Sequence, residues 1–271
     1  MEYVPGTHLP RGRLKLAAVV RAAGDVIHID DAAQVLDLSR TEASKLLSRW
    51  TSQGWLRRVG AGAYVPVPLD SLESEQVLDD PWVLVPALFA PAYIGGWTAA
   101  EHWELTEQIF RDIMVITARA VRRKTHRHHG AVFTLKHVDE EKLFGTKSVW
   151  RGRSKIAVSD IDRTIIDMLD DPALGGGIQH VADCLDAYLQ RANRDEAKLI
   201  AYGERLGNGA VFKRLGFLAE GHPNGEALIV PCRERLTTGN ARLDPALSCQ
   251  RLVTRWRLWV PETRMRGGAH G

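Results

Sequence analysis

Cysteine is scarce in this chain: Cys184, Cys232 and Cys249 are its only three among 271 residues, and no two form a C-x-x-C pair. That spacing argues against a disulfide framework or a structural zinc site and fits a reducing cytosol. No apolar run reaches the ~20 residues that a membrane-spanning helix needs. The start, Met1 to Arg13, is polar and contains proline, with no apolar signal-peptide core. A strong excess of one charge is also missing. The net charge is only +3, so any case for nucleic acid has to rest on local clustering. Catalytic signatures are lacking as well: there is no G-x-S-x-G, no cysteine with a placed histidine and no P-loop lysine. What is present is a globular composition, 45% hydrophobic and 25% charged, enough for one large domain or two ordinary ones.

The most informative stretch runs from Asp30 to Val67. Asp30 and Asp31 can cap a short helix over 32–36 with Ala32, Val35 and Leu36 inward, and Asp37-Leu38-Ser39 reads as a turn. Ser39 and Glu42 then stand at capping-box spacing ahead of a second helix. Ala43, Leu46, Leu47 and Trp50 recur at i, i+3, i+4 and i+7 as its inward stripe, and Gly54 ends it. The opposite face carries Arg40, Thr41, Ser44, Lys45, Ser48 and Arg49, donors for phosphate and base edges with no acid among them. Residues 55–59 and 63–67 flank Gly60-Ala61-Gly62 as a hairpin with Arg57 and Arg58 near its tip. A helix is expected over 14–23, with Leu14, Leu16, Ala17 and Val20 on its apolar side, and a short strand over 26–29. Helix, strand, helix, helix, strand, strand is the order of a winged helix-turn-helix. Arg40, Thr41, Ser44, Lys45, Ser48, Arg49, Arg57 and Arg58 are therefore the expected DNA-binding residues.

The fold class expected for the whole is mixed α/β (α+β). A winged-helix domain over 1–68 leads through a linker at 69–80 to an α/β domain over 81–264, with a disordered tail at 265–271. A buried helix over 81–89 comes first, then a turn at Tyr93 to Gly96 and a helix capped by Thr98 with Glu101 as its partner. Tyr93, Trp97 and Trp103 read as core rather than as a base-stacking platform. Strands follow at 112–117 and 131–135, then a hairpin turning at Arg151-Gly152-Arg153. Ser159 reads as the cap of a helix with Ile161, Ile165, Met168 and Leu169 inward. Further helices are expected over 178–189, from Asp195 to 206 and over 208–218, with strands at 228–230 and 251–260.

Arg119 to His129 is the most basic stretch and is expected as an exposed loop. It reads in three ways: a solvated loop, a second nucleic-acid contact, or a metal site of His126, His128 and His129, which the neighbouring cations oppose.

The winged helix, then Tyr-Ile-Gly-Gly-Trp-Thr-Ala-Ala-Glu-His-Trp at 93–103 and Val-Ser-Asp-Ile-Asp-Arg-Thr-Ile-Ile-Asp at 158–167, resemble the AbiEi family of antitoxins. The closing residues Leu243-Asp244-Pro245, Ser248 and Arg255-Trp256-Arg257-Leu258 are similar to that family's end. The resemblance spans nearly the whole chain and lies in the order of motifs rather than in any one of them. It implies a bacterial antitoxin that represses its own operon through the winged helix. The C-terminal domain would counteract a nucleotidyltransferase-type toxin without a stable complex. Ser159, Asp160, Arg163 and Thr164 match the family pattern, although a helix start explains the same residues. Arg119, Arg122, Arg123, Lys124 and Arg127 would then form a second basic surface, for nucleic acid or for a toxin-related contact. No catalytic residue, metal or cofactor is expected. The alternatives are a plain winged-helix regulator with a ligand-sensing C-terminal domain, an antitoxin that clamps its toxin directly, and a metal-dependent nuclease built on Asp112, Asp160 and Lys155.

Overall fold

The structure, a computed structural model, describes residues 11–67 and 80–262. The linker expected over 69–80 (Asp80 apart) and the tail expected over 265–271 lie outside the described residues. The chain forms a mixed α/β fold and divides into two compact units. The first takes the described chain to Ala90 together with Arg127–Ala131 and Val149–Ile156, and the second takes the rest. No helix among the described residues is long and apolar enough to cross a membrane.

In the first unit the order is α1 (Arg11–Ala22), β1 (Ile27–His28), α2 (Ile29–Leu36), α3 (Arg40–Ser52), β2 (Leu56–Gly60), β3 (Ala63–Pro66) and α4 (Leu84–Phe89). β1, β3 and β2 make a three-stranded antiparallel sheet in that order. Leu16 and Val19 of α1, Ile27, Ala32 of α2, Ala43, Leu47 and Trp50 of α3, Leu56 and Tyr64 share one core. Complete burial of a side chain such as Leu47 contributes about 1.5–3 kcal/mol.

Several local expectations change here. α2 begins at Ile29 with His28 as its cap, because the Asp31 carboxylate reaches back to accept the His28 backbone N–H at 2.7 Å. Asp31 is therefore the third helical residue rather than the cap. Val35 is 37% exposed instead of inward, and Leu14 is 54% exposed while Leu16 and Val19 carry the buried side of α1. Asp37 does take the left-handed conformation, at φ 52°.

Next along the chain come β4 (Ala92–Ile94), α5 (Gly96–His102), β5 (Asp112–Thr117), β6 (Thr125–His128), β7 (Ala131–His137), β8 (Thr146–Arg151) and β9 (Ser154–Ser159). These strands form a six-stranded mixed sheet in the order β6-β7-β5-β4-β9-β8, with 127–131 and 149–156 grouped with the first unit. β5 runs parallel to β7 and antiparallel to β4, and β4 runs parallel to β9. Helices α6 (Ile161–Asp170), α7 (Ile178–Leu189), α8 (Glu196–Leu206), α9 (Gly209–Ala219) and α10 (Glu226–Glu234) follow. A small sheet of β10 (Ala241–Arg242), β11 (Arg251–Val253) and β12 (Leu258–Val260) closes the described chain. α6 packs against α5, α7, α8 and α9 and is buried almost all round.

Tyr93 and Ile94, expected in a turn, are strand residues paired to β5. Thr98 does not cap α5; Gly95 precedes that helix, and the Thr98 hydroxyl accepts the Met114 backbone N–H at 2.9 Å. Gly96, at φ +54°, lies so close to the Leu174 carbonyl that a Cβ would collide with it, which accounts for the glycine pair in this stretch. Residues 228–230, expected as a strand, lie in helix α10. Residues 251–260 are not one strand but two, broken by a left-handed Arg257 at φ 49°.

Candidate nucleic-acid interface

Helix α3 owes its start to two residues. The Glu42 carboxylate accepts the Ser39 backbone N–H at 2.9 Å and its hydroxyl at 2.6 Å, and the Glu42 backbone N–H donates to the Ser39 oxygen. These hydrogen bonds from Ser39 hold the Glu42 carboxyl below its ordinary range. With Ala43, Leu47 and Trp50 buried, the helix turns Thr41, Lys45 and Ser48 outward at i, i+4 and i+7, with Arg49 beside Lys45. Arg40 is exposed as well, and Ser44 is half-buried.

The expectation of an acid-free face needs correction at Arg40. Its guanidinium pairs with Asp30 of α2 at 2.5 Å, and both side chains are about 70% exposed. The acid comes from a neighbouring helix, which the α3 sequence alone does not reveal. Such an exposed pair is worth about 0–1 kcal/mol, so a phosphate can displace Asp30 at little cost.

The hairpin after α3 separates its two arginines. Arg57 pairs with Val65 and Arg58 with Tyr64, and neighbouring strand residues face opposite sides. Arg58 is exposed near the tip, its Nε donating to the Gly60 carbonyl at 3.0 Å. Arg57, its neighbour on the opposite face of the strand, is half-buried. It lies near His129: burial and then the Arg57 charge lower the His129 pKa, while a hydrogen bond to the Arg58 backbone opposes them.

The basic stretch is not simply a loop. Thr125–His128 is strand β6, and His129 (φ 49°) and Gly130 (φ 80°) turn it into β7. Arg127 is exposed and belongs to the first unit, whereas Arg119, Arg122, Arg123 and Lys124, also exposed, belong to the second. The three histidines diverge: His126 Nε2 lies 3.0 Å from the Arg123 carbonyl, His128 packs edge-on to Phe89, and His129 adjoins β2. Among the described residues no group of three or more His, Cys, Asp or Glu could hold a metal ion.

One contact in this unit went unread in the sequence. At the turn between β8 and β9, the Arg153 guanidinium donates to the carbonyls of Val20 and Arg21, at the C-terminal end of α1. The Arg153 backbone N–H and Ser154 hydroxyl both donate to Asp25 at 2.8 Å. A cation there satisfies orphan carbonyls and complements the negative end of the helix dipole. Its sequence separation of more than 130 residues leaves no local signal.

In the second unit, residues 159–167 build a buried polar network. Asp160, not Ser159, caps α6 by accepting the Arg163 backbone N–H at 2.9 Å; Ser159 ends β9 and bonds Thr164 at 2.8 Å. Lys198 bridges Asp160 at 2.9 Å and Asp162 at 2.8 Å, while Tyr202 and Tyr188 donate to these same two carboxylates. Burial opposes the Lys198 charge, but the bonds to Asp162 and Asp160 prevail and raise its pKa. Arg163, 1% exposed, pairs with Asp167 at 2.9 Å and donates to the Tyr93 hydroxyl and the Lys142 carbonyl. Its guanidinium lies 4.0 Å over the Phe144 ring. Asp162, Asp167 and Arg163 lie among the apolar residues of α6 and are buried with them. Asp112, of the nuclease alternative, accepts the Thr134 hydroxyl at 3.1 Å.

These elements define the chain as a mixed α/β protein with a small helix-rich first unit and a larger second one. No family model and no curated protein matches it. Among solved structures it is similar to the crystal structure of the RV2827C protein from Mycobacterium tuberculosis, with a TM-score of 0.61 over 93% of this chain and 92% of that one. At 16% identity the likeness establishes a shared fold alone.

Proposed function

We propose that the first unit is a winged helix-turn-helix that binds double-stranded DNA, and that the protein is a cytoplasmic antitoxin repressing its own operon. The observation that carries the reading is the face of α3: Thr41, Lys45, Ser48 and Arg49 stand exposed on a helix whose other side is locked into the core. In this reading α3 enters a major groove, Arg40 exchanges Asp30 for phosphate, and Arg58 reaches flanking backbone or minor groove from the hairpin. Arg57 supports the hairpin more than it touches DNA. The antitoxin role rests on the resemblance of 93–103 and 158–167 to the AbiEi family. The partner would be a nucleotidyltransferase-type toxin, counteracted without a stable complex. The protein would act by binding, not as an enzyme.

The test is a gel shift at low ionic strength against the DNA upstream of the chain's own gene. Retardation is expected, and Lys45→Ala and Arg49→Ala should each weaken it. Loss of one phosphate contact lowers the slope of log K against log salt by roughly one. No retardation by the unaltered protein, or full-strength binding by both variants, would overturn the assignment. The antitoxin role is tested separately: co-expression with a neighbouring nucleotidyltransferase should restore growth.

A further inference from the structure

Arg163 leaves a problem that its partners do not solve. Its side chain is 1% exposed, and all its hydrogen bonds to Asp167, Tyr93 and Lys142 leave from Nη2. Nε and Nη1 have no partner. A buried donor left without an acceptor is costly, the more so on a charged group. Native interiors seldom keep them without water or a ligand to accept the bonds.

Arg163 lines a cavity of about 250 Å³ within the second unit, and Lys136 and Lys142 line it too. Both lysines are half-buried. Lys136 is held by Asp171 at 2.5 Å, while Lys142 makes no ion pair among the described residues. Of the carboxylates on the same wall, Asp167 is committed to Arg163 and Tyr93, and Asp170 accepts from Asn208 at 2.7 Å. Asp139 is exposed at the rim. The groups lacking partners on this wall are thus Nε and Nη1 of Arg163, the ammonium of Lys142 and, at the rim, the carboxylate of Asp139. The volume falls just under the ~300 Å³ at which pockets for drug-sized ligands begin, so the occupant is small.

We propose that this cavity binds a small oxyanion, the phosphate or carboxylate group of a metabolite, held by Arg163 and Lys142. A guanidinium presents its N–H groups in a fixed fork that matches an oxyanion, and a lysine adds a point charge beside it. Asp139 at the rim would accept a hydroxyl of the same ligand, favouring a hydroxylated anion over a bare one. The inference does not depend on the nucleic-acid reading of the first unit.

The experiment is a titration of the full chain with inorganic phosphate, with acetate and with chloride at matched ionic strength, read by the thermal unfolding midpoint and by the NMR signal of the Arg163 Nε–H. A saturable rise in midpoint and a shift of that signal are expected with phosphate or acetate and not with chloride; whichever acts identifies the headgroup. Lys142→Ala should weaken the apparent Kd at least tenfold, Lys142→Arg should largely restore it, and Lys147→Ala, an exposed lysine outside the cavity, should leave it unchanged. No saturable response to either anion would overturn the proposal and leave water as the occupant. An equal response from Lys142→Ala, or from chloride, would overturn it as well. The Arg163 signal in the unaltered protein keeps the test decisive should the alanine variant fold poorly.

Discussion

Asp167 shows how one side chain carries opposing demands. Burial pushes its carboxyl up to about 6, and the Arg163 charge and the Tyr93 hydrogen bond only partly pull it back. A carboxyl raised in the folded state holds its proton longer than in the unfolded chain. Its contribution to stability is therefore present below about pH 4 and lost as pH rises through about 6. A carboxyl-carbon NMR titration should place the Asp167 midpoint near 6, and a midpoint near the ordinary aspartate value would contradict this. Removing the group altogether is a separate matter. Asp167→Ala leaves the Arg163 charge buried without a counter-ion, and urea unfolding should show a loss of roughly 3–5 kcal/mol. At His129, burial and then Arg57 lower the pKa. Arg57→Ala should raise it, as read from the imidazole proton shifts.

Among the elements, α3 is the one whose start depends most on two side chains. Ser39→Ala removes both the acceptor for the Glu42 N–H and the hydroxyl held by Glu42, and should cost about 1 kcal/mol. Faster hydrogen exchange should be confined to the first turn of α3; protection unchanged there would contradict the capping account. This element was legible because its signals are local: the S-x-x-E spacing and the i, i+3, i+4, i+7 stripe both survive without any neighbour. α10 was misread for the converse reason. Leu228-Ile229-Val230 followed by Pro231 looks like a strand by composition, yet Leu228 and Cys232, four apart, are both buried as a helical stripe packed beside α9. Tertiary burial outweighs a propensity that spans only ~1 kcal/mol. The break at Arg257 had no composition signal either, since arginine seldom adopts the left-handed region.

Over the whole molecule, the net charge of +3 conceals two separate concentrations of base, on α3 and along 119–127. Neutralising Arg122, Arg123 and Lys124 together distinguishes their uses. If that surface contacts DNA, affinity for unrelated duplexes should fall along with affinity for the operator, most strongly at low salt. If it serves against the toxin, operator binding should survive while protection of cells is lost. The sequence by itself determined what depends on neighbours within a turn or a hairpin: the order of elements to residue 66, the capping of α3, the outward cations and the strand at 112–117. Only the tertiary structure decided which distant groups meet. Asp30 beside Arg40, Arg153 at the end of α1, and a buried guanidinium beside a cavity all arise from packing. The reason is physical: a hydrogen bond or ion pair acts over a few ångströms of space, and nothing in the spacing of residues along the chain reports that distance once they belong to different elements.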